Sequence, residues 1–241
     1  MEARDYNSQG ATGGNTVVKQ KQPATVGASA RRSTGPKPQH SREKIAQAAV
    51  ELADREGIGA VSIRGVAAEI GSGAASLYRY VDSVEELVDL MIDQVSSSYE
   101  LNGLDGSASE QLLALARQGR NIMHRHPWVA PLLLAKRALG PHTLAYLERG
   151  LAALQFTALT GAAKLQTIAM LTAITSAFVQ NEQGEPAGDG DPKGAAALIS
   201  ALGTGKYPLL AESLAQGPAS VDQDQVFATL ITTYLRGAGL D

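Results

Sequence analysis

The chain has 241 residues, enough for one large domain or two small ones with a real core. Its hydrophobic fraction of 44% is that of an ordinary globular protein, and its few aromatics among many Ala, Leu and Gly favour helix packing over sheets. Cysteine is absent, which excludes a disulfide framework, a thiolate zinc site and a thiol nucleophile, and the net charge of −3 argues against a general nucleic-acid coating protein while allowing a small basic patch.

Residues 1 to 40 are rich in Gly, Ser, Thr, Gln and Pro, and are expected to be disordered. Arg4, Lys19, Lys21, Arg31, Arg32 and Lys37 outnumber Glu2 and Asp5 there. With His40 and Arg42 they place a basic arm directly before the first helix. Such an arm can follow phosphates or enter a minor groove, or it can be a solubilising tail. No apolar signal-peptide core precedes it, so a cytoplasmic location is expected.

The first helix starts at the N-cap Ser41 and buries Ile45, Ala48, Ala49, Leu52 and Ala53, and Gly57 ends it. Val61 to Val81 then reads as helix, tight turn, helix. Ser62 is an N-cap. Ile63, Val66, Ala67 and Ile70 form one apolar face, and Gly71 supplies the left-handed stop. In the second helix Leu77 and Val81 point inward. Gly73, Ala74, Ser76, Tyr78, Arg79 and Tyr80 are read as outward. This spacing is that of a helix-turn-helix, whose second helix enters the DNA major groove, and also that of a helical hairpin with a solvated outer face. Arg79 has the fork for a guanine or a phosphate, while Tyr78 and Ser76 are phosphate donors. Asp82-Ser83 caps a fourth helix with the stripe Val84, Leu87, Val88, Met91, Ile92 and Val95.

The remainder reads as helices from Ser107 to Arg125, Pro127 to Ala135, Pro141 to Gln155, Thr160 to Gln180, Lys193 to Leu202, Pro208 to Gln216 and Asp222 to Arg236, with a polar loop from Asn181 to Pro192. The uncharged run Leu165 to Asn181 is short for a bilayer, so no membrane span is expected. His124, His126 and His142 lack a carboxylate cluster, so neither a metal nor a cofactor is expected. No phosphate loop, nucleophile elbow or catalytic carboxylate pair is present, which argues against an enzyme.

Residues 41 to about 95 resemble the DNA-binding head of the tetracycline-repressor (TetR) family of bacterial regulators. The resemblance rests on I-x-x-A-A-x-E-L in helix 1, the Gly57 stop, V-S-I-R-x-V-A-x-x-I-G, S-L-Y-R-Y-V and E-E-L-V. It implies an all-α fold, with a three-helix head over residues 41–82 and a helical ligand-binding and dimerisation domain over 83–241. It places Ser62, Ile63 and Arg64 where helix 2 meets DNA, and Gly73, Ala74, Ser76, Tyr78, Arg79 and Tyr80 on the reading helix. Arg42 joins the DNA-binding set from the basic arm. The chain departs from the family at Val84, where a phosphate-contacting lysine is common. H-P-W-V-A and G-K-Y-P-L-L-A extend a looser resemblance to the C-terminal half. The implied partners are double-stranded operator DNA, a small-molecule effector and a second copy paired through helices 160–180 and 222–236.

An effector cavity would draw on Met123, Trp128, His142, Tyr146, Phe156, Gln166, Met170, Ile174 and Phe178, mostly apolar side chains that equally suit a simple core. Two functions from different classes fit. One is a ligand-responsive regulator, foremost a repressor of a palindromic operator, with activation by the same head as a variant. The other is a ligand-binding or scaffold protein whose head no longer reads DNA. Arg64 and Arg79 separate them, since only the first needs either side chain.

Overall fold

Six side-chain caps set where helices begin. Ser41, Ser62, Ser83, Ser107, Thr160 and Asp222 each accept a first-turn backbone amide, and Ser107 and Glu110 close a reciprocal capping box. The computed structural model describes residues 40–135, 138–184, 192–216 and 222–240. Most of the basic arm lies outside them. The helices are α1 (Arg42–Glu56), α2 (Ile63–Glu69), α3 (Ala74–Leu77), α4 (Val84–Ser96), α5 (Ala108–Arg125), α6 (Val129–Ala135), α7 (Pro141–Ala153), α8 (Gly161–Gln183), α9 (Pro192–Gly203), α10 (Pro208–Ala215) and α11 (Gln223–Gly237). A 3-10 turn, Ile58–Ala60, joins α1 to α2, and among the described residues there is no strand. The all-α expectation therefore holds.

Three boundaries differ from expectation. The second helix of the helix-turn-helix is a single turn, Ala74–Leu77, and tighter turns carry Tyr78 to Tyr80. Pro127 and Trp128 form a turn, so α6 starts at Val129. Helix α8 runs on through Asn181–Gln183, the start of the expected loop. At 23 residues α8 extends beyond the uncharged run Leu165 to Asn181 at both ends, and by length and composition alone it could cross a membrane. Its packing against α5, α6, α7 and α11 makes it a core helix, and Thr167, Thr175 and Ser176 are buried along it.

Two hydrophobic cores form. The first joins α1, α2, α3 and α4 through Ile45, Ala49, Val66, Leu77, Val81, Leu87 and Met91, and takes in Ile122, Met123, Trp128 and Val179 from the C-terminal half. The second holds Leu112 and Leu115 of α5, Tyr146 of α7, Ile168 and Leu171 of α8, and Phe227, Ile231 and Leu235 of α11. Each fully buried Leu or Ile contributes about 1.5–3 kcal/mol. By contrast, no described residue of the α9–α10 pair is buried.

An ion cluster ties α11 to α5 and α8. Arg120 donates to both Glu182 oxygens at 2.9 and 2.5 Å and to Asp224 at 2.5 Å, with its guanidinium 5.5 Å from the Phe178 ring centre and 5.2 Å from that of Phe227. Arg120 and Glu182 are each only 12% exposed. Burial raises the Glu182 carboxyl, but Arg120 and His124 outweigh it and hold the group below its ordinary value. Asp224 is also lowered, chiefly by Arg120. Carboxylates lowered on folding stabilise the fold above their unfolded values, and that contribution is lost as pH falls through the depressed folded values. We therefore expect Arg120→Ala to cost about 3–5 kcal/mol in urea unfolding at neutral pH, because it leaves Glu182 buried without its main partner. In the parent protein the tie should weaken only below the ordinary carboxylate range.

Candidate nucleic-acid interface and effector region

The head has a buried side and an exposed side, divided by helix period. Val66, Ala67, Leu77 and Val81 face the core. Ser62, Arg64, Gly73, Ala75, Tyr78 and Arg79 are exposed. Gly57 at φ 85° and Gly71 at φ 64° take left-handed conformations that L side chains rarely adopt, so the chain turns sharply before α2 and after it. Arg55 bridges to Glu69 at 2.5 Å and holds the end of α2 against the end of α1.

Sequence-predicted residues divide accordingly. Ser62, Arg64, Gly73, Tyr78 and Arg79 share the exposed side, with Tyr78 at 56% exposure. Ala74, Ser76 and Tyr80 are half-buried, and Ala74 and Tyr80 pack against the first core. Ile63 is corrected: at 4% exposure its side chain belongs to the core, because it opens the apolar face of α2. Arg42 is drawn onto the head itself, where it donates to the Tyr80 carbonyl at 2.6 Å and pairs with Glu86. Val84, at the start of α4, is exposed and brings no charge. Sequence reasoning did not single out Ala75, which is exposed as Gly73, Tyr78 and Arg79 are.

The candidate effector residues do not gather in one place. Met123 and Trp128 are in the first core, whereas Tyr146 is in the second with Ile174 and Phe178 beside it. Four are corrected. Phe156 is 94% exposed just past α7, His142 is exposed in the first turn of α7, and Gln166 and Met170 lie on the outer side of α8. Among the described residues, two shallow concavities lie elsewhere, one lined by Gln225, Val226, Thr229, Leu230 and Thr233 of α11 and one by Ser109, Thr232, Arg236 and Leu240. Interior polar groups surround Tyr146. Its hydroxyl lies 3.1 Å from Thr172, and its ring centre lies 4.7 Å from that of Tyr99. Burial raises both phenols above their ordinary value, Tyr99 well above it. Gly119 makes room for Tyr99, since a Cβ there would lie 2.7 Å from the Tyr99 hydroxyl. Nothing in the spacing of Tyr99, Gly119 and Thr172 marked them, because three different elements bring them together.

Two carboxylates join the head's core to the rest. Asp54, near the end of α1, accepts from Trp128 Nε1 at 2.7 Å and lies 2.9 Å from His126 Nδ1. Asp93 of α4 is buried and accepts from the Thr143 amide at 2.8 Å and its hydroxyl at 3.0 Å. It caps α7, whose own N-cap, Gly140, has no side chain to do so. The three candidate histidines thus stand apart, His124 against Glu182, His126 against Asp54, and His142 exposed.

A one-turn reading helix set on a buried helical core, with a larger helical body behind it, defines a helix-turn-helix regulator. The comparisons agree. The family model for bacterial regulatory proteins of the tetR family matches residues 45–91, and that for the tetracyclin repressor-like C-terminal domain matches residues 102–238. The HTH-type transcriptional repressor DrrR1 of Streptomyces coeruleorubidus is 34% identical over 205 residues, covering 80% of this chain and 76% of that protein. An HTH-type transcriptional regulator of Saccharopolyspora erythraea is 35% identical over 119 residues, about half of each chain. Apo ActR of Streptomyces coelicolor superposes with a TM-score of 0.68 at 26% identity, over 83% of this chain and 97% of its own. The chain belongs to the TetR family and is a DNA-binding transcription regulator.

The division of the head predicts a contrast in stability. Arg79→Ala should leave the free energy of urea unfolding within about 0.5 kcal/mol of the parent, as for an exposed position. Leu77→Ala, at a fully buried position, should cost about 2–5 kcal/mol. Equal losses in the two variants would contradict the division.

Proposed function

We propose that this chain is a repressor that binds a palindromic operator in double-stranded DNA as a homodimer and leaves it when a small, largely apolar effector enters the body. The observation that carries the proposal is the exposed side of the head, where Ser62, Arg64, Ala75, Tyr78 and Arg79 stand clear of the core. Arg64 and Arg79 supply charge for phosphates or guanine edges, and Tyr78 supplies a phosphate donor. Gly73 and Ala75 are small, so the backbone of α3 can come close to base edges. The proposal assigns the chain no reaction and places it in the cytoplasm, with the DNA.

Dimerisation is supported by apolar side chains left uncovered on α8 and α11. Leu165 and Met170 on α8 and Leu230 on α11 are all exposed. A two-fold pair sets its reading helices roughly 34–36 Å apart, one turn of DNA, and so requires inverted half-sites. The effector is supported by likeness, since ActR has been solved in complex with actinorhodin and with (S)-DNPA. In this chain we place the effector near Tyr146, Ile174 and Phe178 at the second core, with Tyr99 and Thr172 as polar neighbours. Release then runs through α4, whose Asp93 is bonded to α7.

The test is selection of duplexes from a randomised DNA pool at two salt concentrations. We expect an inverted repeat with half-sites one helical turn apart and an affinity that falls steeply with salt. Arg64→Ala and Arg79→Ala should each lose about 5- to 150-fold in affinity for it. Failure of the folded protein to enrich any sequence would overturn the proposal in favour of a body that binds ligand under an idle head.

A further inference from the structure

Helix α3 is too short to hold its own axis. One turn of helix leaves nearly every backbone group without an internal partner. Leu77 and Val81 bury one side of the segment, yet the carbonyl of Tyr80 and the amide of Asp82 lie past the helix end. Both are met by a two-residue relay. Arg42 donates through Nη1 to the Tyr80 carbonyl at 2.6 Å, and its Nη2 pairs with one Glu86 oxygen. The other Glu86 oxygen accepts from the Asp82 amide at 2.7 Å. The Glu86 amide in turn bonds to the N-cap Ser83 at 3.1 Å. The relay thus joins the first residue of α1, the end of α3 and the first turn of α4.

We propose that Arg42 is a positioning residue, which with Glu86 fixes the direction of α3, and that it does not serve as a phosphate ligand. This rests on α3 being the element that reads DNA. Three observations favour it over the phosphate role that a basic residue here suggests. The guanidinium is turned onto the Tyr80 carbonyl, in the segment just after α3, and onto the Glu86 carboxylate in the first turn of α4. Its charge is neutralised by Glu86, whose carboxyl is held below its ordinary value first by the Asp82 amide and then by Arg42. The pair is also partly exposed, at 47% for Arg42 and 32% for Glu86, so by itself it adds little to global stability. What it supplies is a fixed position for the Tyr80 carbonyl and the Asp82 amide, the backbone that directly follows Tyr78 and Arg79.

Four variants test this in the full-length protein: Arg42→Ala, Arg42→Lys, Glu86→Gln and, as a control, Lys44→Ala on the exposed side of α1. In DNA-free protein we expect faster amide hydrogen exchange at Tyr80, Val81 and Asp82 in R42A and E86Q, with α1 and α2 unchanged. Unchanged exchange in that segment overturns the proposal whatever DNA does. On the palindromic duplex from the selection, R42A and E86Q should lose about 10- to 100-fold in affinity. The slope of log affinity against log salt should stay that of the parent, and binding to a scrambled duplex should not change. A phosphate contact gives the opposite pattern. R42A would then flatten the slope by about 0.9 and weaken both duplexes alike, E86Q would tighten binding, and R42K would match the parent. Faster exchange with unchanged operator affinity likewise overturns the proposal. If the parent enriches no duplex, the repressor assignment fails by itself, and the exchange result still decides whether the relay holds the segment.

Discussion

Leu87, Met91 and Ile92 of α4 are buried in the same core as Ile45, Ala49 and Leu52 of α1 and Leu77 at the end of α3. That burial gives the head its exposed side, because apolar residues recurring at the helical period gather on one face and leave the opposite face to solvent. The same helix carries Asp93, whose carboxylate caps α7. A displacement of α7 therefore bears on α4 through a buried, charge-assisted bond, and α4 cannot move without the head's core moving too. Packed cores resist continuous deformation, so such a shift is expected between discrete arrangements. Asp54 adds a second tie, from α1 to the turn at His126 and Trp128.

The head was legible in the sequence to an unusual degree, and the reason is local. Ser41, Ser62 and Ser83 cap the helices that follow them, Gly57 and Gly71 sit at the left-handed turns, and the apolar positions keep helical period. Each of these signals spans a few residues. Ile63 was misplaced because its position was carried over as part of a contact region, while its place in the period already put it inside. Ala75 was missed because a methyl group carries no chemical signal. Arg42 was legible as a basic residue beside the head, but its bonds to Tyr80 and Glu86 were not. Its partners are 38 and 44 residues away in the chain.

The effector region was far less legible, and physical reasons account for that as well. Large apolar residues mark cores and cavities alike, so Phe156 and Met170 were as eligible as Tyr146. Only the packing shows that Phe156 lies outside and that the Tyr146 ring meets that of Tyr99, just past the end of α4, in a tilted pair. Arg149 gives a further case. It donates to the carbonyls of Leu101 and Leu104 and to the Gln111 side chain, and so holds the link between α4 and α5, with no periodic pattern to announce it.

Polar groups in this protein therefore do their work at junctions between helices, while apolar groups build the two cores. Arg120 joins α5, α8 and α11, Arg149 joins α7 to the α4–α5 link, Asp93 joins α4 to α7, and Arg42 joins α1 to the segment between α3 and α4. An apolar core fixes how closely helices approach but tolerates small rotations of one helix against another. A bidentate guanidinium or a capping carboxylate does not, since its bonds lengthen or break when the partners turn. For a regulator of this family, that division gives the spacing of the helices to the cores and their mutual alignment to a few charged side chains. These side chains are where a change of alignment would have to pass.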